Sequence, residues 1–463
     1  MTENVRYDGS LKASVILKDL APFVPALSRF EEPLDLNLVF SGHGKHLDCP
    51  TLRLTNHHGL MIAGEAALSN WDAGMDMYIY GKLGNLTMTK EGINVLMTNL
   101  TGKVPPILQR LDYIRFNGEA AGYLHDLTLT GLFHTGAGMV KTDVMMSIDE
   151  QSMSRTYSGS VASADLDLGK LLNQEKKFGK VDFNVELKGF NYKNRYPESY
   201  IKGIISSFEY SQYQYENIML DGVYKDGGFN GRLSMDDANG SVQIDGNFNV
   251  AKTIPDFNLK ASVKNLRPHD LHLSDKYENA SISLGLTADF TGKSIDDMNG
   301  RISLDSLQLN APDEGGCFLD NLTITAGQVS GEKELRINSS FMTAVIRGDY
   351  SYHTIPASVV KTVQRYIPSL LTIKDNMPEP HNNFQFDICL ENTEVLSKLF
   401  QIPLELYLPA SLKGYFNDGE EKLHVEGHFP EFRYNGTRYD SGVLFCENPS
   451  DRFKCSLRGG MLM

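Results

Sequence analysis

Five residues near the N-terminus carry side chains that bind transition metals: His43, His46, Cys49, His57 and His58. Neutral imidazole and thiolate are good ligands for such ions. The segment between them, Leu47–Thr55, alternates like a β-strand. At about 3.3 Å per residue its ends stand roughly 25–30 Å apart. The spacing therefore predicts His43 and His46 in a turn at one sheet edge and His57 and His58 at the other, with no metal site. Gly292-Lys293-Ser294 has the last three residues of a phosphate loop. That loop's first glycine would be residue 287, which is Thr287, and the following Ile295–Gly300 reads as turn and strand rather than as the helix that holds phosphate. Gly136-Ala137-Gly138 lacks both the third glycine and the helix of a dinucleotide site. Asp236/Asp237 and Asp296/Asp297 are paired carboxylates of the kind acid–base catalysis uses. Adjacent residues do not face each other across a cleft, and both pairs precede Asn-Gly, so a turn role is expected for each. Neither His-Glu-x-x-His nor Gly-x-Ser-x-Gly occurs. The sequence thus offers no catalytic residue, no metal site and no cofactor, and it reads as a protein that is not an enzyme.

The bulk composition narrows the remaining classes. The chain has 463 residues, 41% of them hydrophobic and 22% charged, which excludes wholesale disorder. Its 41 Gly, 23 Phe and 21 Tyr suit strands and turns better than helices. A net charge of −14 argues against a nucleic-acid partner and against a polybasic membrane anchor. The five cysteines (49, 317, 389, 446 and 455) form no CxxC pair, which disfavours a zinc site or a disulfide scaffold. Cys446 and Cys455 flank the turn Glu447–Arg452 and could face each other across a hairpin; a disulfide there is left open. No stretch approaches the ~18 apolar residues of a membrane span, and no apolar signal region is present. Both termini run directly into strand patterns, which suggests a fragment of a longer protein.

The elements that would position any site are mostly strands. Val181, Phe183, Val185 and Leu187 fall on one face of a strand, with Asp182, Asn184, Glu186 and Lys188 on the other. Val242–Val250 repeats the pattern, as do Leu34–Leu38, Ile282–Leu286 and Leu423–Phe429. Solid apolar runs joined by long helices, the mark of parallel sheets, are missing. Turn signals at Lys225–Gly228, Asp237–Gly240, Asp297–Gly300 and Asn417–Gly419 predict hairpins, and hence a meander. A weak internal repeat links Asp236–Asp245 with Asp296–Asp305, sixty positions apart, and Leu-Thr-apolar-Thr recurs at 86–89, 127–130 and 322–325. Such reuse favours an open-ended architecture over a closed barrel. Short helices are expected within Leu17–Phe30, Val104–Leu111, Leu166–Leu172 and Thr393–Phe400, and a longer one over Pro356–Leu371. Lys374–Asn383 reads as a loop. Asp305-Ser306 is expected to be a bulge, because Ile302/Leu304 and Leu307/Leu309 fall on opposite phases.

The fold class expected is all-β, mostly antiparallel, an elongated and twisted β-groove with an apolar inner face. It would run over 1–463 as one repetitive unit, with possible sub-units 1–155, 156–350 and 351–463. The inner face is assigned to Val181, Phe183, Val185, Leu187, Val242, Ile244, Phe248, Val250, Leu259, Val263, Ile282, Leu284, Leu286, Ile302, Leu304, Leu322 and Ile324. Pattern alone allows two uses of such a face. It either seals the core of a β-sandwich or lines a groove open to acyl chains.

Three passages resemble the AsmA-like/TamB family of Gram-negative envelope proteins. Ser158–Leu172 followed by Phe178–Gly189 is similar to the family's strand, short Leu-Gly-x-Leu-Leu helix and next strand. Ile218–Gly222, Asp237–Phe248 and Pro255–Leu266 together resemble one TamB repeat, and Asn321–Thr325 through Leu335–Tyr350 resembles AsmA-like repeats. The resemblance covers residues 10–350 best. It implies a periplasmic conduit that carries phospholipids between the inner and outer membranes and supports outer-membrane biogenesis. Family members of this kind carry an N-terminal inner-membrane helix and a C-terminal domain toward the outer membrane; this sequence has neither, in keeping with a fragment. Phospholipids, the inner membrane and outer-membrane assembly proteins are the partners implied. Two other roles stay open: assembly or chaperoning of outer-membrane proteins by strand addition to a sheet edge, and a sealed β-sandwich that binds carbohydrate or protein.

Overall fold

A computed structural model describes residues 5–20, 28–149, 151–152, 154–191, 198–275, 278–312, 315–366, 382–400, 402–448 and 452–461. The fold is all-β and antiparallel with a few short helices, and the chain divides into two compact units, Met1–Asp237 and Ala238–Met463.

Unit 1 contains β1 (Arg6–Ile16), β2 (Pro33–His43), β3 (His46–Thr55), β4 (Leu60–Ser69), β5 (Tyr78–Thr89), β6 (Tyr113–Tyr123) and β7 (Asp126–Thr135). It continues with β8 (Gly138–Asp149), β9 (Ser154–Asp167), β10 (Phe178–Asn191), β11 (Glu198–Tyr210), β12 (Tyr213–Lys225) and β13 (Gly228–Asp237). Each strand pairs antiparallel with the next, so the unit is one meander. The predicted Lys225–Gly228 hairpin has a two-residue loop, with Asp226 at φ 50° and Gly227 at φ 78°. Two positive φ angles match the right-handed twist of the flanking strands.

Three α-helices occur among the described residues of unit 1: α1 (Lys90–Thr101), α2 (Pro106–Gln109) and α3 (Leu168–Leu172). The last two lie inside the predicted windows. α1 was not predicted, although its ends carry ordinary signals. Thr89 accepts a hydrogen bond from the Gly92 N–H at 3.2 Å, and Gly102 closes the helix in the left-handed region at φ 77°. Of the window Leu17–Phe30, Leu17–Leu20 forms a single 3-10 turn, while 21–27 lie outside the described residues.

Unit 2 contains β14 (Gly240–Asn249), β15 (Asp256–Leu266), β16 (Ser281–Thr291), β17 (Asn299–Asn310), β18 (Cys317–Val329), β19 (Glu332–Ser339) and β20 (Met342–Asp349). It continues with β21 (Asn383–Leu390), β22 (Leu404–Leu406), β23 (Ala410–Asn417), β24 (Lys422–Tyr434), β25 (Thr437–Glu447) and β26 (Lys454–Met461). The meander is broken once: β21 pairs with β23, and the short β22 lies against the far end of β24. Two helices join the sheet, α4 (Ile355–Tyr366) and α5 (Glu394–Phe400). The predicted extension of α4 to Leu371, and most of the loop Lys374–Asn383, fall outside the described residues.

One local expectation changes, and one open pairing is decided. Asn299-Gly300 lies inside β17 and makes no hairpin; the turn is Gly292–Met298, which Asp297 closes by accepting the N–H groups of Lys293 and Ser294 at 2.8 and 2.7 Å. Cys446 and Cys455 stand directly opposite each other on β25 and β26 and are joined by a disulfide. The bulge at Asp305-Ser306 is present. Asp305 faces Gly285 and Gln308 faces Ser283, one extra residue on β17, and Ser306 takes φ 54°. It rotates Leu307 and Leu309 onto the face that carries Ile302 and Leu304.

Candidate functional site

The polar candidates are taken up by structure. His46 contacts Ser69 Oγ at 2.7 Å and Asp48 Oδ2 at 2.9 Å, while His58, beyond the other end of β3, contacts Glu91 Oε1 at 2.9 Å and Glu32 Oε2 at 3.4 Å. No group of three or more potential ligands surrounds a common point among the described residues. Asp237 accepts from the Tyr213 hydroxyl at 2.5 Å and the Glu216 N–H at 3.1 Å. Asp296 accepts from Ser351 Oγ at 2.9 Å and the Tyr352 N–H at 2.6 Å. Asp297 holds the Gly292–Met298 turn, and the donors of Lys293 and Ser294 bring its carboxyl down to about 2. Asp237, Asp296 and Asp297 therefore each bind a turn or a strand end.

What the fold does assemble is an apolar surface. Antiparallel register brings residues of successive strands into rows that cross the sheet. One row of unit 1 runs Ala13, Leu36, Leu54, Ile62, Leu86, Phe116, Phe133, Val140, Ser163, Phe183, Ile205, Ile218, Met235, one residue from each of β1 to β13. Only Ser163 interrupts it. The next row, two residues along each strand and three along β5 where a bulge intervenes, runs Leu11, Leu38, Leu52, Gly64, Leu83, Gly118, Gly131, Thr142, Val161, Val185, Gly203, Leu220, Leu233, with Thr142 its one polar residue. In unit 2 a row runs Gly246, Leu259, Ala288, Ile302, Ile324, Ile337, Ala344, Ile388, Leu412, Gly427, Leu444, Leu457 without a polar residue.

The opposite face of unit 1 carries charge in the same register. Glu65, Lys82, Glu119, Thr130, Asp143, Ser160, Glu186, Lys202, Asp221 and Arg232 follow one another across ten strands. Opposite charges stand side by side in this row, as at Lys202 and Asp221, 3.7 Å apart. Cross-strand pairs of opposite sign support the register.

Glycines let the apolar rows pack closely. A Cβ at Gly131 would lie 2.5 Å from the Phe116 ring, and one at Gly118 2.7 Å from it. Phe116 thus covers both glycines, stands 4.5 Å from the Phe133 ring and keeps 5% of its exposure. The arrangement covers backbone that a bare glycine would leave open.

Of the predicted face residues, Val181 is buried, while Phe183, Val185, Leu187, Val242, Ile244, Leu259, Val263, Ile282, Leu284, Leu286, Ile302, Leu304, Leu322 and Ile324 are half-buried. Register joins them across strands, as in Val242–Val263–Leu284 and Leu286–Leu304–Leu322. Phe248 stays on this face opposite Phe257 but is 38% exposed at the sheet margin. Val250 lies past the end of β14 and is 60% exposed, so it is not part of the surface. A sealed sandwich core would bury these side chains; instead most keep contact with solvent.

Helices cover the margins of the face. In unit 1, Ile93 and Met97 of α1, Leu108 of α2 and Leu171 of α3 pack on Ile114, Phe133, Val140, Val181, Phe183 and Ile205. Lys170 of α3 is fixed by Asp112 Oδ2 at 2.6 Å and the Gly136 carbonyl at 2.8 Å. In unit 2, Ile355 and Val359 of α4 pack against the cluster that contains Ala326, Leu335, Phe384 and Phe416. The base of α4 is held by Asn382, 1% exposed, which donates to Ser358 Oγ at 2.6 Å and Thr354 Oγ1 at 3.0 Å and accepts from the Ser351 N–H at 3.0 Å. Val395, Leu396 and Leu399 of α5 cover Leu307, Leu319 and Phe341 at the other margin.

Comparison with known proteins returned nothing: no family model, no curated protein and no solved structure matches this chain. No helix among the described residues is long and apolar enough to cross a membrane.

Proposed function

We propose that the two apolar faces hold the acyl chains of phospholipids and act as part of a conduit for lipid transport across the periplasm of a Gram-negative envelope, in support of outer-membrane biogenesis. The observation that carries this reading is the unbroken apolar row from Gly246 to Leu457, half-buried along most of its length. A contiguous exposed apolar surface on this scale marks an interaction site. Each CH₂ exposed to water costs about 0.8 kcal/mol, so a ~16-carbon chain crossing water unaided faces a barrier on the order of 10 kcal/mol. Apolar contact has no preferred direction, and the unit 2 row, which holds no polar residue, offers few points at which a chain would be trapped; in unit 1 the rows are interrupted at Ser163 and Thr142. The headgroup would remain in water beside the helix-walled margin. The likeness of Ser158–Gly189 and Ile218–Leu266 to AsmA-like/TamB repeats supports the same reading.

The test is transfer of a fluorescent phospholipid from vesicles onto the chain. Ile244→Asp places a charge in the face opposite Ala261, whereas Ser262→Asp places one on the outer face. Ile244→Asp is expected to lower uptake by about tenfold while Ser262→Asp leaves it unchanged. Equal uptake by both folded variants would remove the proposal. A second reading, strand addition for client assembly, draws on the edges: β1 pairs only with β2, and β26 only with β25, among the described residues. It predicts the opposite sensitivity, to proline in β26 and not to charge at Ile244.

A further inference from the structure

Within unit 2 the apolar face changes width. On β18, Cys317 and Leu319 belong to clusters packed by α5, and Ala326 belongs to the cluster packed by α4. Leu322 and Ile324, between them, each touch one of these clusters and are half-buried. No inner-facing residue of β18 from Leu319 to Ala326 is free of a helix-backed cluster. On β17 the single residue of this kind is Leu304, set between Ile302 on the α4 side and Leu307 on the α5 side. Unit 1 is different. On β10 only Val181 and Phe183 lie in the helix-backed cluster, and Val185, Leu187 and Gly189 continue the face beyond it.

We infer that β17 and β18 form a waist that admits one polymethylene chain at a time, with Leu304, Leu322 and Ile324 as the residues that set its width. The inference rests on the lipid reading and specifies where that surface discriminates. Alternate residues on a strand stand about 6.6 Å apart, so the strip on β18 between Ala326, in the cluster that α4 joins, and Leu319, in the cluster that α5 joins, is two side chains wide. An unbranched alkyl chain is the apolar object that fits so narrow and open-ended a strip. Two chains side by side, or a fused-ring lipid, would displace Leu322 or Ile324 into clusters already packed against helices, and overpacking of that kind is resisted. At β10 a chain meeting an obstacle can move to a neighbouring row; at the waist it cannot.

The experiment uses the full chain loaded from vesicles of dioleoyl phosphatidylethanolamine and dioleoyl phosphatidylglycerol. A photoreactive residue of leucine's own size is introduced as Leu304→photo-leucine, or in unit 1 as Leu187→photo-leucine, and lipid crosslinking is read after irradiation. Leu322 is the cross-strand partner of Leu304, and Ile201 that of Leu187. Adding Leu322→Trp is expected to lower crosslinking at 304 by about tenfold, and adding Ile201→Trp to change crosslinking at 187 by less than about twofold. Should Leu322→Trp fail to fold, Leu322→Phe replaces it, with a smaller loss in the same direction. Equal losses at both positions would overturn the waist, as would crosslinking at 187 with none at 304 in the parent. Crosslinking at neither position would instead remove the lipid reading itself.

Discussion

Asp297 shows how a feature that resembles catalytic chemistry becomes structural. Its carboxylate accepts two backbone N–H groups and the Ser294 hydroxyl, and these donors hold it near pH 2, against an ordinary 3.8. A depressed carboxyl contributes stability that is fully present above its unfolded value and is lost as the pH falls through the folded one. The Gly292–Met298 turn should therefore stay intact at pH 4 and loosen as the pH approaches 2. An NMR titration of the Asp297 side chain should give a midpoint near 2, and a midpoint at 3.8 would contradict the assigned bonds. At this scale the sequence was informative about faces, because period-2 alternation assigns each side chain to one side of a strand. It failed at Val250, where β14 ends one residue earlier than the alternation suggests. It also gave no hint that Phe116 covers Gly118 and Gly131, since that contact depends on the register of β6 with β7.

Among the elements, the strands and the short α2, α3 and α5 were legible, and α1 was not. Its residues Lys90–Thr101 directly follow the Leu-Thr-apolar-Thr phrase that closes β5, and no helix was expected there. The capping Thr89 and the closing Gly102 were the available signals. The omission matters because α1 supplies the most deeply buried part of the unit 1 wall: Ile93 keeps 1% of its exposure. Ile93→Ala should cost about 2–5 kcal/mol by leaving a cavity against Leu111, Ile114 and Leu166. Urea unfolding, with the unit 1 transition assigned by hydrogen exchange, measures this, and an unchanged midpoint would show that α1 is not part of the core. The bulge at Asp305-Ser306 lay at the limit of what sequence can show. A phase change between Leu304 and Leu307 signals either a bulge or a change of face, and only the pairing with β16 decides between them.

For the whole molecule, each unit carries its own apolar face and its own helices along the margins. In unit 1 the charged row from Glu65 to Arg232 gives the other face to water. The continuity of the unit 2 row across twelve strands, and of the unit 1 row across thirteen but for Ser163, could not be read from any single segment. Every strand states its own alternation, but only correct register at each successive pairing brings the apolar positions into line. That is also why the choice between a sealed sandwich and an open face was undecided in the sequence: both use the same alternating strands, and they differ only in what covers the apolar side. The most direct measurement of the central claim is mass spectrometry of the organic extract of the full chain, purified without detergent from a Gram-negative host. The account predicts co-purified phospholipid in at least stoichiometric amount. A well-folded chain that yields no lipid would contradict it and leave the apolar faces to a protein partner.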